Sequence, residues 1–134
     1  MTANFSFDVD EARDLVTITL GGFFSRADIE AFLAAREIAH ARLRCGPNQH
    51  VTLADVRAMK IQAQEIVAEW GQVLAGSTHR SRKLAFVQAS SLARLQLQRA
   101  AAMRDVRYFT SMGDAKAWLF EDEQMVPQRY SAIG

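Results

Sequence analysis

Over the first twenty positions apolar and polar residues alternate: Phe5, Phe7 and Val9 with Asn4, Ser6 and Asp8, then Val16, Ile18 and Leu20 with Thr17 and Thr19. A period of two sends one row of side chains into a core and the other into water, so two β-strands are predicted. The polar stretch Asp10-Glu11-Ala12-Arg13-Asp14 turns the chain back between them, and Gly21-Gly22 ends the second strand. At Ser25 the period changes to that of a helix. Ser25 and Asp28 form a capping-box-like pair, and the helix is expected to run to about Arg44, before the breaker cluster Cys45-Gly46-Pro47-Asn48. A short strand is expected from His50 to Asp55. The helix that follows, about Gln62 to Gly76, is two-sided: Ile66, Val67, Trp70, Val73 and Leu74 share one face, and Gln64, Glu65, Glu69 and Gln72 the other. Lys83 to Gln88 reads as a strand, Ser90 or Ser91 caps a helix to about Arg104, and Val106 to Phe109 is the last strand. Ser111 with Asp114 caps a closing helix to about Asp122, after which residues 123–134 read as a tail.

The order ββαβαβαβα predicts an α/β domain with a mixed, mostly parallel sheet, its first strand antiparallel and its crossovers right-handed. The second face of the first three strands is read as Asn4, Ser6, Asp8, Thr17, Thr19, His50 and Thr52. Those residues are costly to bury, so the helices are expected mainly on one face of the sheet. No internal repeat or interdomain linker interrupts residues 1–134, which read as one domain with its core at about 3–122.

Composition narrows the class. Of the 134 residues 49% are hydrophobic and 23% charged, and 16 basic residues nearly balance 15 acidic ones. That mix excludes a disordered chain or a disulfide scaffold, and the net charge of +1 argues for neither nucleic acid nor a charged lipid surface. The longest apolar run, Ala31 to Ala35, is far below the roughly 20 residues of a membrane span. With one cysteine, Cys45, and no basic-then-apolar leader, a cytoplasmic setting is the expectation.

Catalytic and metal signatures are missing: there is no Cys-x-x-Cys, His-Glu-x-x-His or Gly-x-Ser-x-Gly, and His40, His50 and His79 have no ligand spacing. Gly71 to Gly76 has phosphate-loop glycine spacing, but it lacks the lysine and lies on a helix. No cofactor is expected, and the chain reads as a binding module rather than an enzyme. Four features bear on what it binds. In the first helix Arg36 interrupts the apolar stripe of Ile29, Phe32, Leu33, Ala39 and Leu43, with His40 at the edge; together with Asp55 they form a candidate anion site, or Arg36 is a paired or snorkelling side chain. In the third, Leu92, Leu95 and Leu97 point three ways around the axis, so at least one lies away from the sheet, toward a ligand, a partner subunit or a bilayer surface, or it is a single exposed leucine. Residues 76–108 hold seven basic residues (Arg80, Arg82, Lys83, Arg94, Arg99, Arg104 and Arg107) against the single acid Asp105. Arg94, Arg99 and Arg104 make a candidate anionic-surface contact, or an ordinary solvated face. Nucleic acid is not expected, since Phe86 and Tyr108 both fall in strands and leave no stacking platform. Trp70 and Trp118 sit on apolar stripes.

Several local motifs, in this order, resemble the SpoIIAA-like family of the STAS-domain superfamily, and within it the stand-alone bacterial proteins similar to CRAL-TRIO lipid-binding domains. They are Gly21-Gly22, Asp55-Val56-Arg57, Trp70 and Lys83-Leu84-Ala85-Phe86-Val87. The most specific is Val106-Arg107-Tyr108-Phe109 leading into Asp114-Ala115-Lys116-Ala117-Trp118-Leu119. The resemblance implies the SpoIIAA-like architecture and a hydrophobic small-molecule or lipid partner, with peripheral membrane contact. A second reading from the same resemblance is a protein partner or homodimer, as for the anti-sigma-factor antagonists. Those carry a phosphorylated serine in the turn after the third strand. Here Asp55-Val56-Arg57-Ala58-Met59-Lys60 offers no hydroxyl, so that switch is not expected. The apolar ligand is expected between the second and third helices, against Trp70, Val73 and Leu74 on one and Leu92, Leu95 and Leu97 on the other, in a pocket wide enough for a fatty chain of about ten methylenes once a helix lifts.

Overall fold

The computed structural model describes residues 2–76, 80–101 and 106–121. Five strands and four helices alternate as read: β1 (Asn4–Asp10), β2 (Leu15–Gly22), α1 (Arg26–His40), β3 (Val51–Met59), α2 (Gln64–Ala75), β4 (Lys83–Val87), α3 (Ser91–Ala100), β5 (Arg107–Phe109) and α4 (Met112–Leu119). The strands lie side by side in sequence order, β1 antiparallel to β2 and every later pair parallel. This order fixes the layering. Each crossover steps one strand in the same direction, and right-handed crossovers stepping the same way land on the same face. Therefore α1, α2 and α3 share one side of the sheet, and only α4, which makes no crossover, reaches the other.

Register assigns the faces. Val9, Val16, Thr52 and Leu84 lie in one row and Phe7, Ile18, Ala54, Phe86 and Tyr108 in the next, all toward the three crossover helices. The opposite face carries Leu15, Val51, Leu53, Ala85 and Val87, packed against Ala115, Leu119 and Phe120 of the α4 region. Across β1 that face is Asn4, Ser6 and Asp8, all exposed to water. The expectation of helices mainly on one face holds, with one amendment. His50 and Thr52 do not belong to the wet face; they are 3% and 5% exposed and lie under the crossover helices, in the row parity of Ala54 and Val56.

Serine side chains start three of the helices. Ser25 accepts from the Asp28 N–H at 3.2 Å while Asp28 accepts from the Ser25 N–H at 2.8 Å; Ser90 and Ser111 start α3 and α4 by accepting from the Ala93 and Asp114 N–H groups at 3.1 and 3.3 Å. The expected end of α1 at Arg44 is four residues too late. After His40 the backbone tightens into three-residue turns, Arg42 to Ala39 and Leu43 to His40. β3 in turn is longer than expected. A register shift between Thr19 and Gly21 lets Gly21 and Gly22 pair with Ala58 and Met59, so Asp55 to Met59 is strand rather than turn. Gly22 sits at φ +80°, where a Cβ would stand 2.3 Å from the Thr2 carbonyl oxygen. Only glycine closes this edge without strain.

Candidate functional site

The crossover helices do not seal against the sheet. A cavity of about 130 Å³ lies between them, floored by Ile18, Leu20, Ala54, Val56, Leu84 and Phe86 and roofed by Phe32, Val67, Trp70, Val73, Leu74 and Leu97. Its cause is visible in the side chains. Trp70 wedges edge-on between Phe24 and Phe32, with ring centroids at 5.3 and 5.1 Å, and holds α2 off the sheet. Ala54 in the floor and Ala93 and Ala100 in α3 are too small to fill the gap this leaves.

One end of the cavity is latched by a polar side chain that the sequence pattern does not flag. Gln62, 8% exposed, accepts from the Phe24 N–H at 2.9 Å and donates to the Gly22 carbonyl at 3.0 Å and to the Lys60 carbonyl. Its own backbone exchanges two 2.8 Å bonds with the side chain of Gln96 on α3. Gln62 thus ties β2, α1, the start of α2 and, through Gln96, α3. No periodicity marks it: the pattern places Gln62 at the start of the helix, whereas α2 begins at Gln64 and leaves Gln62 in the loop before it.

The other end, over the start of β3, is polar and incompletely satisfied. Arg36 lies one turn beyond Phe32 on α1, so both side chains face the cavity. The Arg36 Nε is buried and makes no hydrogen bond, and the same is true of the Trp70 Nε1. Burial pushes the Arg36 guanidinium below its ordinary value, with Glu37 pulling the other way, although an arginine stays charged throughout the neutral range. His40 reaches back to the Arg36 carbonyl through Nδ1 at 3.0 Å and packs against the ring of His50 at 4.9 Å. Since a carbonyl only accepts, Nδ1 is the donor in that bond. Thr52 completes the wall.

Of the predicted site residues, the structure brings Trp70, Val73, Leu74 and Leu97 together around the cavity, with Arg36 and His40 in the same wall. Leu92 and Leu95 are not among them. Both lie on the outer side of α3, 57% and 53% exposed, because Leu97 and Gln96 already occupy its inner side. Asp55 is not part of the anion site either. Strand alternation turns it to the α4 side of the sheet, where Arg57, two residues on and therefore on the same face, grips both its oxygens at 2.9 Å. Those bonds hold the Asp55 carboxyl below the usual range against the opposing effect of burial. The basic segment is dispersed rather than gathered on one face. Lys83 and Arg107 stand over the Trp118 ring on the α4 side, while Arg94 covers Tyr108 and Arg99 is exposed on α3. Arg104 and His79 lie outside the described residues, as does the expected tail.

The fold has a solved counterpart. The chain is similar to an uncharacterized protein of the DUF3478 family with a SpoIIAA-like fold from Shewanella loihica PV-4, with a TM-score of 0.68 over 89% of this chain and 96% of that one. Sequence identity is 15%, so the likeness establishes the SpoIIAA-like fold and leaves the activity to the site. No protein-family model matches the chain, and no curated protein matches it in sequence. Among the described residues no group of His, Cys, Asp and Glu is arranged to hold a metal, and no helix is long and apolar enough to cross a membrane.

Proposed function

We propose that this protein is a non-catalytic binding module whose ligand occupies the cavity between the sheet and the crossover helices. The observation that supports it is the cavity itself: about 130 Å³, walled by aliphatic and aromatic side chains. A cavity of about 150 Å³ with comparable walls stays dry and takes up benzene. That comparison sets the size of the occupant. A chain of ten methylenes would extend out of this space, so the part of the ligand held inside is compact, on the scale of one aromatic ring or a six-carbon chain. Burying six carbons gains about 5 kcal/mol before the cost of association, which makes affinity millimolar at best unless polar contacts add to it.

The test uses Trp70 as the reporter. Trp118 lies across the sheet under Lys83 and Arg107, remote from the cavity. In Trp118→Phe the remaining tryptophan is in the cavity wall, and titration with small aromatic and medium-chain compounds is expected to change its emission saturably. Silence of Trp70 together with no heat by calorimetry overturns the reading in favour of a protein partner. Leu92 and Leu95, exposed on α3 beside Arg94, are the surface on which that partner would then be sought.

A further inference from the structure

The cavity has an asymmetric chemistry that narrows the ligand further, on the premise that the cavity is the binding site. Its walls present two buried N–H donors that meet no acceptor, the Arg36 Nε and the Trp70 Nε1. Leaving a buried guanidinium N–H unpaired is among the costlier arrangements in a protein interior, and folding selects against it unless something else supplies the acceptor. Among the described residues no carboxylate lines the cavity, and none lies in an ion pair with Arg36. Both donors flank Phe32: Arg36 lies one helical turn beyond it, and the Trp70 ring stands edge-on to it at 5.1 Å. An occupant lying against Phe32 therefore meets both.

We infer that the ligand is a compact monocarboxylate, its apolar body in the cavity and its carboxylate accepting from Arg36 and the Trp70 indole. The charge count favours one negative charge over two. Among the described residues the basic side chains lining the cavity are Arg36, His40 and Lys60; Lys60 is exposed at the opposite end of β3, and His40 turns its Nδ1 to the Arg36 carbonyl, so Arg36 is the permanent cation beside Phe32. A phosphate monoester would bring a second charge, and the wall beside Phe32 holds one permanent cation, Arg36. A carboxylate brings acceptors and no donors, which is the complement of this wall.

The experiment compares each acid with its neutral isostere, benzoate with benzamide and hexanoate with hexanamide, by calorimetry and Trp70 emission in Trp118→Phe. The acids are expected to bind at least tenfold more tightly than the amides. Arg36→Met, which keeps the length of the stem and removes the charge, is expected to erase that preference while the amides still bind, and Arg36→Lys to restore part of it. Because the buried Nε has no hydrogen bond to lose, Arg36→Met is also expected to raise the denaturation midpoint. Equal binding of acid and amide to the wild-type protein overturns the carboxylate assignment and leaves the cavity reading standing. Failure of all four compounds to bind overturns both. A fall in the denaturation midpoint of Arg36→Met also overturns the assignment, because it means that Arg36 is already paired within the protein.

Discussion

Ala54→Ile is the most direct probe of whether the space beneath the helices is open. Ala54 is 4% exposed in the middle of the cavity floor, flanked in the sheet by Ile18 and Phe86. Isoleucine adds three carbons there and suits a strand. If they enter the void, each gains about 0.8 kcal/mol, or about 2.4 kcal/mol together. The void sets a similar ceiling: 130 Å³ at about 24 cal/mol per Å³ corresponds to about 3 kcal/mol. Allowing for imperfect fit, Ala54→Ile is expected to stabilise the protein by about 1–2 kcal/mol, read as a rise of about 0.5–1 M in the urea midpoint at unchanged slope. The same variant is expected to lose at least tenfold in affinity for any cavity ligand. In a closed core the added carbons overpack and cost about 1–3 kcal/mol instead. The two cases differ in sign. A lowered midpoint with ligand binding intact would refute the cavity.

Gln62→Ala leaves the Phe24 N–H and the Gly22 carbonyl without their bonds, two buried groups at about 1–3 kcal/mol each. A loss of about 2–4 kcal/mol is expected in denaturant titration, and a change below about 0.5 kcal/mol would show that the latch does not form. Asp55→Asn tests the ion pair through pH. The folded carboxyl is held below its ordinary value, chiefly by the hydrogen bonds from Arg57. Its stabilisation is therefore present above the unfolded pKa of about 3.9 and is lost as pH falls through the lower folded value. Wild type should exceed Asp55→Asn by a constant margin from pH 5 to 7, and the two should converge in strong acid; a margin that grows on acidification contradicts the pairing.

What the sequence discloses and what it hides follow from the same geometry. The hairpin is legible because β1 is wet on one face, so Phe5, Phe7 and Val9 stand out against exposed neighbours. The caps are legible because Ser25, Ser90 and Ser111 act on backbone three residues away. β3 is different. Covered on both faces, it is apolar at odd and even positions alike, and alternation cannot say which parity meets the crossover helices. Only the pairing of Val16 with Thr52 settles it. For this reason His50 and Thr52 are assigned to the wrong face by pattern, and Asp55 to a site on the other side of the sheet. Arg36 is visible as an interruption in a helical stripe, because a helix carries its own phase from Ile29 onward. Gln62 is invisible, since its partners are backbone groups brought to it by β2, α1 and β3.

Topology explains why the anomaly falls where it does. Sequential strand order lays three helices across one face, and their outer members, α1 and α3, are tied to α2 near the strand ends: Arg26 to Glu69 at 2.8 Å, and Gln96 to the Gln62 backbone. At that end the chain closes on itself with every bond accounted for around Gln62. Toward the strand starts the helices are spaced by Trp70 and Phe32 rather than bonded, and Arg36 stands there with its buried Nε unbonded and Glu37, the next residue, as the carboxylate that acts on its charge. A core selected only for stability would replace such an arginine with methionine or leucine at no cost in shape. The buried N–H groups left without an acceptor, those of Arg36 and Trp70, thus fall in the wall of one cavity. Proteins place their binding chemistry where stability has been given up in this way.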